Sequence, residues 1–247
     1  MSALIDLIDL DLSVWLVVSV IVFAAAIVQG ALGMGFGQVA ASLLILVAPS
    51  FVPATVIMMG MVVSMMGAAH GYRKVNVREM SVALIGRIIG GVLAGHVMLL
   101  LIDSKAWSLL FAGMILLAVF ISLVTWKVMP TNFTLFSAGT LSGFMGTITS
   151  IGAPPIGIVY QNVPGAEARA TMNAFFALGT IASLATLWVY GIAGWSDVAR
   201  AISLAPGFLA GYVCAQFMTG FIDRRFRSLV LIICVLSAGS VILKTLF

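Results

Sequence analysis

Two stretches of this sequence place polar groups and unstable backbone inside apolar surroundings. The first is Gln29 to Gln38, Gln-Gly-Ala-Leu-Gly-Met-Gly-Phe-Gly-Gln, with four glycines in eight residues between Gly30 and Gly37. Each glycine costs a helix interior roughly 1 kcal/mol against alanine, so the spacing predicts a helix break over Gly30 to Gly37. The second is Ser142 to Pro155, Ser-Gly-Phe-Met-Gly-Thr-Ile-Thr-Ser-Ile-Gly-Ala-Pro-Pro, which interrupts an apolar region of the second half. A half-helix that restarts after a break presents unpaired amides and about half a positive charge, which suits the oxygens of an anion. The expected donors in the first stretch are the amides near Gly35 to Gln38, with Gly33, Gly35 and Gly37 making the break. In the second they are the amides near Ser150 to Ala153, between Gly146 and Gly152, with hydroxyls from Thr147, Thr149 and Ser150. Glycines also let helices pack closely. That role is assigned to Gly86 and Gly90, Gly91 and Gly95, and Gly207 and Gly211, which lie on long uninterrupted runs.

Arg87 falls about eight residues, roughly 12 Å, into the helix expected from Met80 to Ile102. A charge at that depth faces a cavity or partner, or snorkels to the surface. Both readings stay open, the first making Arg87 the attracting cation. His96 is nine residues further, about 180° around the helix, so the two cannot share a face. His96 reads as a packed, hydrogen-bonded side chain. Asn173 lies one turn into a helix opened by Glu167 and Arg169 and offers an amide to a solute or to a neighbouring helix. Gln29, Gln38, Gln161 and Gln216 are further candidates of the same kind. The run Met58 to Met66 reads as adaptable packing rather than a metal path.

Composition says what must hold these groups in place. Of 247 residues, 62% are hydrophobic and 8% charged, against about 25% charged in a soluble domain. The apolar runs are helix-length, so the chain reads as an all-α integral membrane protein rather than a barrel. The net charge of +4 is scattered among loops, which argues against a nucleic-acid partner. Cys214 and Cys234 lie in apolar runs and imply no disulfide or metal. Asp6, Asp9 and Asp11 precede the first apolar run, the wrong polarity for a cleaved signal peptide.

The expected order is Leu12 to Val28, the break, Val39 to Ala48, then long helices Ala54 to His70, Met80 to Ile102 and Ala106 to Trp126. A turn at Asp103 to Lys105 joins the last two. The second half repeats the plan: a broken pair, Phe133 to Phe144 and Ile151 to Val159, then Ala166 to Tyr190, Val198 to Ile222 and Phe226 to Leu246. Matches run in order. Gly30 and Gly33 match Gly143 and Gly146 at an offset of 113; Ala54-Thr55 matches Ala170-Thr171, and Leu93 to Gly95 matches Leu209 to Gly211, at 116. Ile102-Asp103 matches Ile222-Asp223, and Ser108-Leu109 matches Ser228-Leu229, at 120. Such periodicity marks internal repeats, here residues 1–129 and 130–247 within one transmembrane domain. Ser203 stands where the first half has Arg87, so a charge role there is asymmetric. The turn with Arg73, Lys74 and Arg78 and the turn with Arg224, Arg225 and Arg227 should both be cytoplasmic. They follow non-equivalent units, which predicts inverted-topology repeats, each a broken-helix hairpin and three long helices, with both termini outside. Secondary transporters are built this way around a midplane site.

The glycine-broken run Gln29 to Gly37, its second copy Ser142 to Gly146 followed by Gly152-Ala-Pro-Pro155, and Arg169-Ala-Thr-Met-Asn173 resemble the TauE/SafE sulfite exporter family. The resemblance covers nearly the whole chain. It implies a multi-pass transporter of the bacterial inner membrane that exports sulfite or sulfonates such as sulfoacetate. The expected partners are a small anion and the lipid bilayer, with a homodimer left open, and no cofactor or metal is implied. Two alternatives are an anion channel and a carrier of a non-sulfur organic anion. Gly33 to Gly37 faintly resembles a carbonyl-lined filter, but the second half has no equivalent run. Nothing suggests an enzyme: there is no zinc motif, no serine in a nucleophile setting and no paired carboxylate.

Overall fold

The computed structural model describes residues 11–101, 104–124, 128–218 and 224–246. The leader aspartates Asp6 and Asp9, the turn residue Asp103, Trp126 and the Ile222-Asp223 match lie outside the described residues. All regular structure among the described residues is helical: α1 (Leu12–Leu32), α2 (Phe36–Val47), α3 (Ala54–Gly71), α4 (Val77–Leu101), α5 (Lys105–Leu123), α6 (Asn132–Thr149), α7 (Ala153–Tyr160), α8 (Gly165–Val189), α9 (Trp195–Ser203), α10 (Ala205–Met218) and α11 (Arg224–Leu246), with 3-10 turns at Pro49–Phe51 and Tyr72–Lys74. Five helices among the described residues are long and apolar enough to cross a membrane, six if the bent pair α9 and α10 counts as one span. The chain is a multi-pass all-α membrane protein.

Three expectations need correction. The first break is shorter than the glycine spacing predicts. Helix α1 runs through Gly30 to Leu32 and ends on Gly33 (φ 76°), whose amide donates to the Gln29 carbonyl; α2 starts after Gly35 (φ 106°). Both positions sit in the left-handed region that only glycine reaches without penalty, whereas Gly30 stays helical. The second break lies further along the chain than expected. Helix α6 continues through Gly146, Thr147 and Thr149 and ends on Ser150, a non-glycine residue at φ 65°. By capping role Gly33 therefore pairs with Ser150 and Gly35 with Gly152, an offset of 117, not the 113 of the glycine match. Finally, the helix expected from Val198 to Ile222 is two pieces, α9 and α10, bent by 52°. Pro206, in the first turn of α10, lacks the amide that would continue the ladder.

Chain direction follows from which residues touch. Helices α4 and α6 run parallel, with Ala83 against Gly139 and Arg87 against Gly143, and backbone so close that an added Cβ on Gly86, Gly90, Gly139 or Gly143 would strike the neighbouring main chain. Helices α1 and α10 pair the same way, Ser19 against Gly207, Phe23 against Gly211 and Gly30 against Ala215. Helices α3 and α8 are antiparallel, Gly71 on Ala170 and Gly67 on Asn173. The bundle thus has a basic end, with Tyr72–Lys74 and the starts of α4 and α8. Its opposite end carries the starts of α3 and α9, joined where Thr55 donates to Asp197 Oδ1 at 2.9 Å. The hairpin α6–α7 opens toward the basic end, because α6 starts there beside α4 and α7 leads straight into α8. The hairpin α1–α2 opens toward the opposite end, because α1 follows α10 and α2 leads into α3. Their tips pass one another, so that a Cβ on Gly37 would collide with the Ser150 carbonyl oxygen. Around the tips Val22, Ala25, Ala40, Leu44, Met59, Met145, Ile148 and Ile151 form the core.

Candidate functional site

Broken backbone within a membrane protein must find partners inside the protein, since lipid offers none. At the first break one side chain does most of this. Gln29, buried at 4% exposure, accepts from the Phe36 amide on Oε1 at 3.1 Å. Its Nε2 faces three acceptors: Ser64 Oγ at 3.1 Å, Asn173 Oδ1 at 3.2 Å and the Gly33 carbonyl at 3.3 Å. The next amides of α2, at Gly37 and Gln38, precede the point where intrahelical pairing begins. Gln38 itself donates to Ser122 Oγ at 3.3 Å.

At the second break two of the four amides expected for an anion are already engaged. The Ser150 amide donates to the Gly146 carbonyl at 2.9 Å and the Ile151 amide to Thr149 Oγ1 at 3.1 Å. Pro154 and Pro155, in the first turn of α7, carry no N–H at all. The prolines leave the first turn of α7 few amides to offer, and a cation stands near its start. Arg87 is only 3% exposed, so its guanidinium stays inside the protein rather than snorkelling. Nη1 donates to Ser142 Oγ at 2.8 Å, and Ser142 Oγ donates in turn to the Gly152 carbonyl at 2.6 Å. The guanidinium carbon lies 5.1 Å and 5.4 Å from the ring centres of Phe175 and Phe176. Its Nε has no hydrogen-bond partner, and among the described residues no carboxylate lies within ion-pair distance of it.

Between the tips is a cavity of about 50 Å³. Arg87, Gln29, Gly35, Gly37, Gln38, Gly146, Ser150 and Gly152 line it, together with Ser64 and Thr180. Six of the sequence candidates lie apart from it, among them Gln216 and also Gln161, which lines a separate space of about 340 Å³. Gly33 packs on the Arg169 backbone. Thr147 donates to Ser183 Oγ at 2.9 Å and Thr149 to the Met145 carbonyl at 2.8 Å, so both hydroxyls face helix neighbours. Asn173 lines a separate space of about 420 Å³ at the basic end. His96 and Arg87 do not meet: His96 Nδ1 is 2.7 Å from the Tyr190 hydroxyl. No group of three or more potential metal ligands occurs among the described residues.

Residues 18–241 match the family described as Sulfite exporter TauE/SafE. The chain belongs to the TauE/SafE sulfite exporter family. Searches of curated proteins and of solved structures return no match. Membership makes this TauE/SafE chain a membrane transporter. Sequence reasoning passes over Ser142, Thr180 and the Phe175–Phe176 pair in this TauE/SafE chain, and gives Gln29 low weight. A serine or phenylalanine in an apolar helix carries no signal of its own. Gln29, next to the break, had one: a glutamine beside freed backbone is placed to cap it.

Proposed function

We propose that this transporter carries sulfite or a small sulfonate such as sulfoacetate outward across the bacterial inner membrane, holding its anionic group in the cavity between the two hairpin tips. The observation that carries the reading is Arg87: a buried guanidinium with no carboxylate within ion-pair distance among the described residues, whose Nη atoms lie beside Gly146 on the wall of a cavity. A cation desolvated without a counter-ion is costly unless a ligand supplies the opposite charge. The first amides of α2 add donors and the positive end of a helix dipole. Gly35, Gly37, Gln38, Gly146, Ser150 and Gly152 shape the cavity wall. Its volume of about 50 Å³ falls far below the roughly 300 Å³ and more of drug-sized pockets, which favours the compact oxyanion group as the part enclosed.

The chain directions support a division into residues 1–129 and 130–247 as inverted repeats. The hairpins α1–α2 and α6–α7 open to opposite ends, and corresponding helices pair by exchange, α4 with α6 as α10 with α1. Taking the basic end as cytoplasmic puts both termini outside, and alternating access then amounts to one repeat rocking on the other. The test is a competition panel in proteoliposomes of purified protein: sulfite, sulfoacetate, a taurine-like zwitterion and a carboxylate of matched size. Saturable flux with sulfite and sulfoacetate as the best competitors supports the reading. Equal competition by the carboxylate would assign the protein to general organic anions, and flux that does not saturate would make it a channel.

A further inference from the structure

At the basic end lies a second space, of about 420 Å³, lined by His70, Arg73, Lys74, Arg169 and Asn173. The first four side chains are exposed, and among the described residues no carboxylate is within ion-pair distance of any of them. Arg73 rests over the Tyr72 ring, 5.6 Å from its centre, and donates to the Tyr72 hydroxyl. A concave space lined by one sign of charge raises the local concentration of the opposite ion. The floor of this vestibule is the first break: a Cβ on Gly33 would touch the Arg169 backbone at 3.0 Å, and Gly67 leaves room for the Asn173 carboxamide.

We propose that this basic vestibule is a second oxyanion site in series with the Arg87 cavity, and that Gln29 closes the passage between them. The proposal rests on the reading of the Arg87 cavity as the transport site. Gln29 lines the inner cavity and Asn173 the vestibule, so the Gln29 Nε2 to Asn173 Oδ1 hydrogen bond of 3.2 Å spans the partition. Nε2 has two protons for three acceptors, Gly33 O, Ser64 Oγ and Asn173 Oδ1. One acceptor is always under-served, and the bond to Asn173 is exchanged at little expense. The other end of the same side chain holds the Phe36 amide, the first donor of α2 that an inner anion would take. An oxyanion arriving there displaces Gln29 Oε1, which frees the whole side chain to leave Asn173. Filling of the inner site and movement of the partition are thereby coupled through one residue.

Two measurements on the purified full chain test this. The first is sulfite flux into vesicles from the side that the basic end faces. With Arg73, Lys74 and Arg169 all replaced by glutamine, the KM should rise on the order of tenfold and its dependence on ionic strength should flatten. A KM and salt dependence equal to those of the parent would overturn the vestibule. The second uses a single cysteine, Thr180→Cys, in a background with Cys214→Ser and Cys234→Ser, labelled by an anionic thiol reagent from the same side. Gln29→Ala should speed labelling at least tenfold. Asn173→Ala breaks the same partition without disturbing the Phe36 amide, and should also speed it. Parental labelling rates in folded samples of both variants would overturn the partition. The inner site is judged separately. If Arg87→Gln loses sulfite binding while these variants behave as the parent, the Arg87 reading stands and this proposal falls. If Arg87→Gln binds normally while KM and labelling change as described, the inner reading falls and the vestibule remains.

Discussion

Removing the charge of Arg87 is the sharpest perturbation the structure offers, because binding and folding should respond in opposite directions. Arg87 is 3% exposed, so ionic screening by solvent is weak there and its attraction for an anion survives salt. Nη1 is committed to Ser142 Oγ at 2.8 Å, and Nε packs without a partner against Gly179. Both Nη atoms lie beside Gly146 of the cavity wall, which leaves Nη2 to offer a charge-assisted hydrogen bond to a ligand. Losing such a bond is worth about 2 kcal/mol, or roughly a 30-fold weaker Kd for Arg87→Gln. Lysine keeps the charge but not the planar fork or the stacking on Phe175 and Phe176, so Arg87→Lys should fall between. The ligand-free protein should behave differently. A buried cation without a carboxylate gains little Coulomb energy against its desolvation, and two cation–π contacts return only about 0.5–2 kcal/mol each. The Tm of ligand-free Arg87→Gln should therefore stay within about 2 °C of the parent or rise, while the stabilisation by saturating sulfite shrinks. Titration calorimetry and thermal melts on equal amounts of monodisperse protein read both quantities. Equal Kd values for parent and Arg87→Gln would refute the cation role and leave the α2 amides as the anion donors.

Three further outcomes are expected. Gly37→Ala should sharply lower the yield of folded protein, because its Cβ would meet the Ser150 carbonyl, whereas Gly113→Ala on α5, with open space around it, should be neutral or stabilise by up to about 1 kcal/mol; similar melts for the two would contradict the crossing of the tips. Ser142→Ala leaves the Gly152 carbonyl and Arg87 Nη1 each short of a partner, a loss of about 1–3 kcal/mol in stability, read as a fall in Tm; an unchanged Tm would mean the second break is held by other contacts. An impermeant thiol reagent applied to intact cells should label Ser196→Cys and spare Asn76→Cys, and the reverse pattern would invert the orientation.

Part of this site was readable from residue types because its causes are local. Gly33 and Gly35 disfavour a helix wherever they stand, so a break between α1 and α2 follows from the sequence without knowing the fold. An arginine eight residues inside an apolar helix is anomalous in the same self-contained way. The membrane class rests on 62% hydrophobic and 8% charged residues, and composition is a sum that no packing alters. Even so, local rules misplace the second break. They point to Gly146, but α6 runs on to Ser150, because Thr149 can hold the Ile151 amide and so lets a serine take the left-handed turn.

What only the tertiary structure decided is which of these groups meet. Gln29 and Asn173 are 144 residues apart, and Arg87 and Ser142 are 55 apart. Their contacts depend on how α1 and α3 lie against α8 and on the register in which α4 lies along α6. The α4–α6 register is set by where Gly86, Gly90, Gly139 and Gly143 let one backbone press on another, and the α3–α8 register by Gly67 and Gly71, a property of two surfaces jointly and of neither segment alone. For the same reason Asn173 falls in the vestibule rather than in the Arg87 cavity, and Thr147 and Thr149 turn to helix neighbours. A residue's type states what it can bond; the packing of distant helices states what is within reach.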